Sequence, residues 1–264
     1  MRILTTIQIY KNAEAFPRRV YHVYIRGKIM LTVNDLTKSF GSGSNRLDVL
    51  KGVDMSITKG EMVALMGPSG CGKSTLLNII GGLLSADTGE IDLEGRKYGR
   101  QKPSDVVDVR RKGVGWIFQD FHLVPSLSAK DNVAMALELC GYKSEEAEER
   151  AVAALNEVGL GDRTHHIPDQ LSGGQQQRVA IARAIAGKRS ILLADEPTGN
   201  LDIASGKEIM ELFKRLCNDE ENPISILMVT HDPDLATQAD RMLLLRDGKT
   251  FASDIRSAWG IEEE

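Results

Sequence analysis

No stretch of this 264-residue chain is apolar for long enough to cross a bilayer. The greasiest run, LLNIIGGLL at 76–84, is broken by Asn78 and falls far short of the ~18–20 residues a membrane span needs. Cysteine is scarce too. Cys71, Cys140 and Cys217 are odd in number and far apart, with no Cys-x-x-Cys or Cys/His spacing. That argues against a zinc site or a disulfide framework and fits a reducing cytoplasm. Excess positive charge is also missing: the formal charge is −4, so there is no long-range pull toward nucleic acid, and no local patch supplies one. What remains is 42% hydrophobic and 27% charged residues, enough to bury a sizeable core in one large domain or one domain with an insertion.

The basic residues that do exist are unevenly placed. Residues 1–29 carry Arg2, Lys11, Arg18, Arg19, Arg26 and Lys28 against one acid, Glu14, a local charge of +5 that masks how acidic the rest is. A secretory signal does not fit, because ILTTIQIY is interrupted by polar residues and no small-residue cleavage site follows. Three readings stay open. An upstream start codon would leave Met30 to begin the folded unit, a basic tail would touch anionic lipid, and an organelle-type presequence would share this composition.

From Leu31 the pattern is of short strands: LTVNDLTKSF, then DVLKGVDMSI after the turn GSGSN, then EMVALM. An antiparallel start is expected. Next, EMVALM runs into GPSGCGKST and then LLNIIGGLL, the strand, glycine loop and helix that make a P-loop. Backbone N–H groups of Gly67, Pro68 (through its neighbours), Ser69, Gly70, Cys71 and Gly72, with the helix N-terminus at Thr75, would wrap phosphates. Lys73 would bridge β and γ oxygens and Ser74 would ligate Mg²⁺. ATP or GTP is the implied ligand. Cys71 has two readings: a small residue filling a variable loop position, or a reactive thiol whose pKa falls beside Lys73 and the helix N-terminus.

A second buried strand, ILLADEP at 191–197, ends in two carboxylates, as parallel strands do where functional groups gather at the C-terminal edge. Asp195 suits a Mg²⁺ role, and Glu196 is placed to orient and deprotonate a water. A third strand, ISILMVTHD, ends in His231, placed for a γ-phosphate contact. Gln119 follows the strand pattern VGWIF, and its amide suits the attacking water or the metal. One motif is incomplete: LSGGQQQR at 171–178 has paired glycines opening a helix, like a phosphate cradle, yet no lysine to meet the charge. Its N–H groups, the Ser172 hydroxyl and the positive end of the helix dipole would still attract an anion.

Taken in order, these residues resemble the nucleotide-binding subunit of an ATP-binding cassette transporter, from Leu31 to about Gly248. GPSGCGKST is similar to that family's Walker A, Gln119 to its Q-loop, LSGGQ to its signature, ILLADE to its Walker B with the catalytic glutamate, and THD to its switch histidine. GNLD at 199–202 resembles the D-loop, which places Asp202 among the nucleotide-binding residues. Where the family commonly stacks a tyrosine on adenine, this chain has Phe40, which keeps the stacking face and loses the hydroxyl. The wording of FQDFHLVPSLSAKDNV and ADEPTGNLD is most similar to the branch serving lipoprotein release, macrolide or peptide export, and cell division.

The resemblance implies an α/β fold: a P-loop NTPase core with a mainly parallel sheet, an N-terminal antiparallel β subdomain and an α-helical insertion at about 121–170. The domain is expected over 30–248, with 249–264 a C-terminal tail. It also implies an ATPase, with ATP and Mg²⁺ as ligands, that stands on the cytoplasmic face of the cell membrane and drives separate permease subunits. The helical insertion would grip that membrane partner. Ser172, Gly173, Gly174 and Gln175 would meet ATP held by the P-loop of a second copy, giving a head-to-tail homodimer. Two other functions remain open: a regulator that signals through a membrane protein without moving substrate, and a soluble ATPase of the DNA-repair type. The latter needs a long heptad insertion, and none lies between Gln119 and Leu171.

Overall fold

Two sheets carry the chain in the computed structural model, which describes residues 28–252. The first holds β1 (Ile29–Phe40), β2 (Leu47–Thr58), β4 (Thr88–Leu93) and β5 (Arg96–Tyr98) in the order β2-β1-β4-β5, all antiparallel. The second holds β3 (Met62–Met66), β6 (Val114–Phe118), β7 (Ile191–Asp195), β8 (Ser225–Val229), β9 (Arg241–Arg246) and β10 (Lys249–Ala252). Its order is β10-β9-β3-β8-β7-β6, with every pair parallel except β9 and β10. The antiparallel start and the mainly parallel core therefore match the expected class.

The aliphatic runs of the parallel strands have a direct cause. A strand covered on both faces needs apolar side chains at every position, and alternate residues here enter different cores. Val63, Leu65, Ile191, Leu193, Leu227 and Val229 pack with the first sheet and with α1 (Lys73–Ile80). Ala64, Met66, Leu192, Ala194, Ile226 and Met228 pack on the opposite side with the longer helices. Those helices include α3 (Ala129–Leu139), α4 (Ser144–Glu157), α5 (Gly173–Ile185) and α6 (Ile203–Cys217), while α2 (Val107–Lys112) and α7 (Pro233–Ala236) are short. Val133, Leu137, Ala151 and Leu155 from the helical segment share one core with Ile181 and Ile185. The segment is thus packed on the ATPase core and is more than a solvated insertion.

The end of the domain departs from expectation. The tail placed at 249–264 contributes β10, so the sheet continues past residue 248. The cause is the Asp247-Gly248 pair, whose φ values of 50° and 77° make the two-residue left-handed turn that closes a hairpin. This hairpin also joins the two sheets, since Lys51 N–H donates to the Gly248 carbonyl at 2.7 Å and the Thr250 hydroxyl donates to the Asp54 carbonyl at 2.5 Å. The readings of the basic segment fall mostly on residues 1–27, and those of the tail on 253–264, both outside the described residues. No helix among the described residues is long and apolar enough to cross a membrane.

Candidate functional site

Strand register assembles the site. Phe118 pairs with Asp195, Asp195 with Val229, and Val229 with Leu65, so the four strands end level. The residues that follow them, Gln119, Glu196, Thr230 with His231, and the loop after Met66, therefore emerge along one edge. Between them lies a cleft of about 310 Å³ lined by Ser74, Phe118, Gln119, Asp120, His122, Asp195 and Glu196. A second cleft of the same volume opens near the N-terminal ends of β7 and β8, around Lys59, Glu94, Glu157 and Arg189. It contains no glycine loop and no strand-end carboxylate pair.

The P-loop is shaped by what a side chain would strike. Gly67 has φ 152°, and a Cβ there would sit 2.2 Å from the Leu245 carbonyl oxygen, so only glycine fits. Gly72, also left-handed, precedes α1 as its N-cap, and Lys73 opens the helix. Lys73 Nζ donates to the Gly67 and Pro68 carbonyls at 2.8 and 3.0 Å, which folds the ammonium over its own loop. The Ser74 hydroxyl donates to Asp195 Oδ2 at 3.2 Å. Burial pushes the Asp195 carboxyl up; the Ser74 hydrogen bond pulls it back, Glu196 adds to the rise, and Lys73 opposes it.

Of the two readings of Cys71, the structure supports the residue that fills a loop position over the thiol of lowered pKa. Its half-buried side chain packs toward the first core and would collide with any Cβ at Gly67. Burial raises the thiol, outweighing the opposing Lys73 charge. Cys71 is therefore expected to alkylate more slowly at neutral pH than in the unfolded chain, and Cys217, pushed up to about 12 by burial, more slowly still. Peptide mapping after timed iodoacetamide treatment measures both. A Cys71 that reacts faster in the folded protein overturns the packing account.

Glu196 sits at φ 49°, a left-handed conformation that costs a non-glycine residue on the order of 1–3 kcal/mol and persists only where neighbours enforce it. Its N–H donates to the Val229 carbonyl at 3.1 Å, and its carbonyl accepts from Gly199 N–H at 3.0 Å. The carboxylate Oε2 lies 3.1 Å from His231 Nδ1.

Several predicted residues stand outside this cleft. Ser172 is the N-cap of α5: its hydroxyl accepts from Gln175 N–H at 3.3 Å, and Gln175 Oε1 accepts from Ser172 N–H at 3.0 Å. Such a reciprocal cap is the ST-x-x-EQ arrangement and is worth about 1 kcal/mol. Gly173 and Gly174 lie against Asn200, Leu201 and Ser205, where a Cβ on Gly174 would meet the Ser205 hydroxyl at 2.9 Å. Asp202 caps α6, accepting from Ser205 N–H at 2.9 Å and from the Ser205 hydroxyl at 2.6 Å, and these bonds hold its carboxyl below the usual range. Phe40 is 43% exposed at the end of β1, with Lys38 Nζ 5.5 Å from its ring centroid.

The structure also adds residues the sequence reading did not single out. Gln119 Nε2 donates to Asn200 Oδ1 at 3.1 Å, and Asn200 Nδ2 returns bonds to the Gln119 carbonyl at 3.1 Å and Asp120 Oδ1 at 2.8 Å. This two-way lock joins the Q-loop to the D-loop. On α5, Gln177 reaches the Pro197 carbonyl and Arg183 reaches the carbonyls of Phe121 and His122. The only sequence signal for these was their position inside or beside recognised motifs.

The profile of the family described as ABC transporter matches residues 50–199, spanning the P-loop through the D-loop glycine. The chain belongs to this family. The macrolide export ATP-binding/permease protein MacB of Neisseria meningitidis is 44% identical over 223 residues, covering 84% of this chain and 34% of that protein. The cassette thus spans about a third of the length of the macrolide exporters it matches. The ABC transporter ATP-binding protein YvrO of Bacillus subtilis is 43% identical over 83% of the chain and 95% of its own length. Among solved structures, a dimeric post-hydrolysis state of the ATP-binding cassette MJ0796 with ADP and phosphate matches at 40% identity and TM-score 0.73, over 83% of this chain and 96% of that one. The cassette is therefore an ATP-binding one, with the family's two-sheet fold. Among its described residues, no three His, Cys, Asp or Glu side chains cluster to hold a metal ion. Ser74 and Asp195, in contact at 3.2 Å, bring two oxygens together, which fits a cation that arrives with phosphate oxygens and water.

Proposed function

We propose that this cassette hydrolyses Mg-ATP as a head-to-tail pair of copies and drives a separate membrane permease from the cytoplasmic face of the membrane. The observation that carries the reading is one sheet edge holding both the Ser74–Asp195 contact at 3.2 Å and the Glu196–His231 contact at 3.1 Å, while the Ser172 helix end stands outside that cleft. The loop N–H groups of 67–72 and the start of α1 hold the phosphates, and Phe40 offers a face to the base. Lys73 turns from its own carbonyls to the β and γ oxygens. Ser74 and Asp195, with Gln119 beside them, hold Mg²⁺, which neutralises charge developing on the phosphate oxygens. Glu196 takes a proton from water, and His231, 3.1 Å from that carboxylate, contacts the γ-phosphate. The Ser172–Gln175 end, with Asp202 next to it, meets the ATP of the second copy, so ATP becomes part of the interface. Its loss on hydrolysis separates the copies and moves whatever the α3–α4 segment grips. The likeness to macrolide exporters supports an outward direction, with export or lipoprotein release as the work done.

Affinity isolation of the tagged chain from detergent-solubilised native membranes tests this. A polytopic membrane protein should copurify, and ATPase activity should disappear in Lys73→Ala. A chain that stays in the soluble fraction, retains no membrane protein under Mg-ATP and hydrolyses nothing sinks the proposal.

A further inference from the structure

Gln177 is an anomaly in the core of α5. It is completely buried, on a helix whose other buried positions are Val179, Ala180, Ile181, Ala182, Ala184 and Ile185. Its Oε1 has no partner among the described residues, while its Nε2 donates to the Pro197 carbonyl at 2.5 Å. An amide buried with half its capacity unmet is costlier than a methionine of similar length. Packing does not account for it; the bond to Pro197 does.

We propose that Gln177 is a positioning residue that sets Glu196 through the Pro197 carbonyl and ties that turn to the signature at the head of the same helix. The inference rests on the reading above, in which Glu196 is the base and the Ser172 end meets ATP of a second copy. Glu196 is left-handed, and its N–H and carbonyl are fixed by Val229 and Gly199. Pro197 comes next: its ring fixes φ, it has no N–H, and its remaining freedom is the rotation that swings its carbonyl. Gln177 grips that carbonyl. Ser172 lies five positions before Gln177, about 7.5 Å along a helix axis. A displacement of the signature end is thus delivered to the turn after Glu196 by one short rigid element. The same helix grips a second unusual stretch, since Arg183 donates to the carbonyls of Phe121 (at 2.7 Å) and His122, whose φ values are 59° and 48°. Phosphate seated by one copy on the signature of the other therefore registers at the other copy's own Glu196.

Gln177→Met in the full chain separates positioning from packing. The expected result with Mg-ATP is a kcat lower by about 10- to 100-fold, the scale of a 1 Å misplacement. KM for ATP should stay within about twofold, since Gln177 touches no ligand, and any Hill coefficient above 1 should fall toward 1. In the nucleotide-free protein, amide exchange should quicken across residues 196–201 and nowhere on β3 or β8. Gln177→Glu adds a readout no packing role would move. A neutral carboxylic acid can still donate to Pro197 and its anion cannot, so the ratio of variant to parent kcat should rise as pH falls. Parental kcat, Hill coefficient and exchange in Gln177→Met overturn the inference while the parent's ATPase stands. If that variant does not fold, a Gln177→Glu ratio that is flat with pH overturns it. A parent with no ATPase instead sinks the functional reading, and exchange at 196–201 still decides the Gln177 contact.

Discussion

Replacing Glu196 by Gln is expected to leave ATP bound and to slow its turnover by about 10²- to 10⁴-fold. The substitution keeps the size, the left-handed backbone and a polar group facing His231, and removes only the atom that accepts the proton. In barrier terms this is about 2.7–5.5 kcal/mol, what a positioned general base supplies. With the γ-phosphate retained between the copies, the pair should persist. Size-exclusion chromatography with Mg-ATP should show a dimer for Glu196→Gln, and steady-state phosphate release should show the slow turnover. Parental hydrolysis removes Glu196 from the role of base, and a monomer under Mg-ATP removes the pair bridged by ATP.

The second large effect comes from mixing two dead proteins. Lys73→Ala disables the P-loop and Ser172→Arg fills the signature end with a bulky cation, so each should be nearly inactive alone. If both loops served ATP within one chain, every chain in a mixture would remain broken. With LSGGQ acting across the pair, a mixed dimer gathers both defects in one site and leaves the other with intact Lys73 and Ser172. Half of randomly formed dimers are mixed and each has one good site, so the mixture should recover up to roughly a quarter of parental activity. Coupling between the two sites lowers that figure, and ATP-dependent pairing of differently tagged mutants then provides the measure. Failure by both readouts means that LSGGQ does not act in trans. The separation of Ser172–Gln175 from the Ser74–Glu196 cleft within one chain is what makes the crossed outcome the expected one.

Residues whose placement follows from their own neighbours in the chain were legible in the sequence. The P-loop, the strand ends at Asp195 and Glu196, and the helix opened by the paired glycines after Ser172 all announce their places by local pattern. Residues whose behaviour depends on distant chain were not. Lys73 sits two positions from Cys71 and argued for an acidic thiol, yet the burial that reverses this comes from the packing of the loop against Leu245 and the first core. Gln177 reads as one glutamine in a run of three, and only the fold shows it alone to be buried against Pro197. Asn200 belongs to a recognised motif, but its lock on Gln119 crosses 81 residues. The Asp247-Gly248 hairpin is the exception, a local signal that carries the sheet past residue 248.

The place of β3 has a consequence for the order in which the protein comes into being. The strand that launches the P-loop is flanked by β8 and β9, whose first residue follows Met66 by about 160 positions, and both neighbours pair with it in parallel. At ribosomal rates of about 5–20 residues per second, the nascent chain carries MVALM with two bare edges for about 10–30 s. The nucleotide loop is thus translated long before the two strands that support its own. Through that interval a five-residue aliphatic strand is open to chaperones, and to other nascent chains of its kind, before it has a sheet to join.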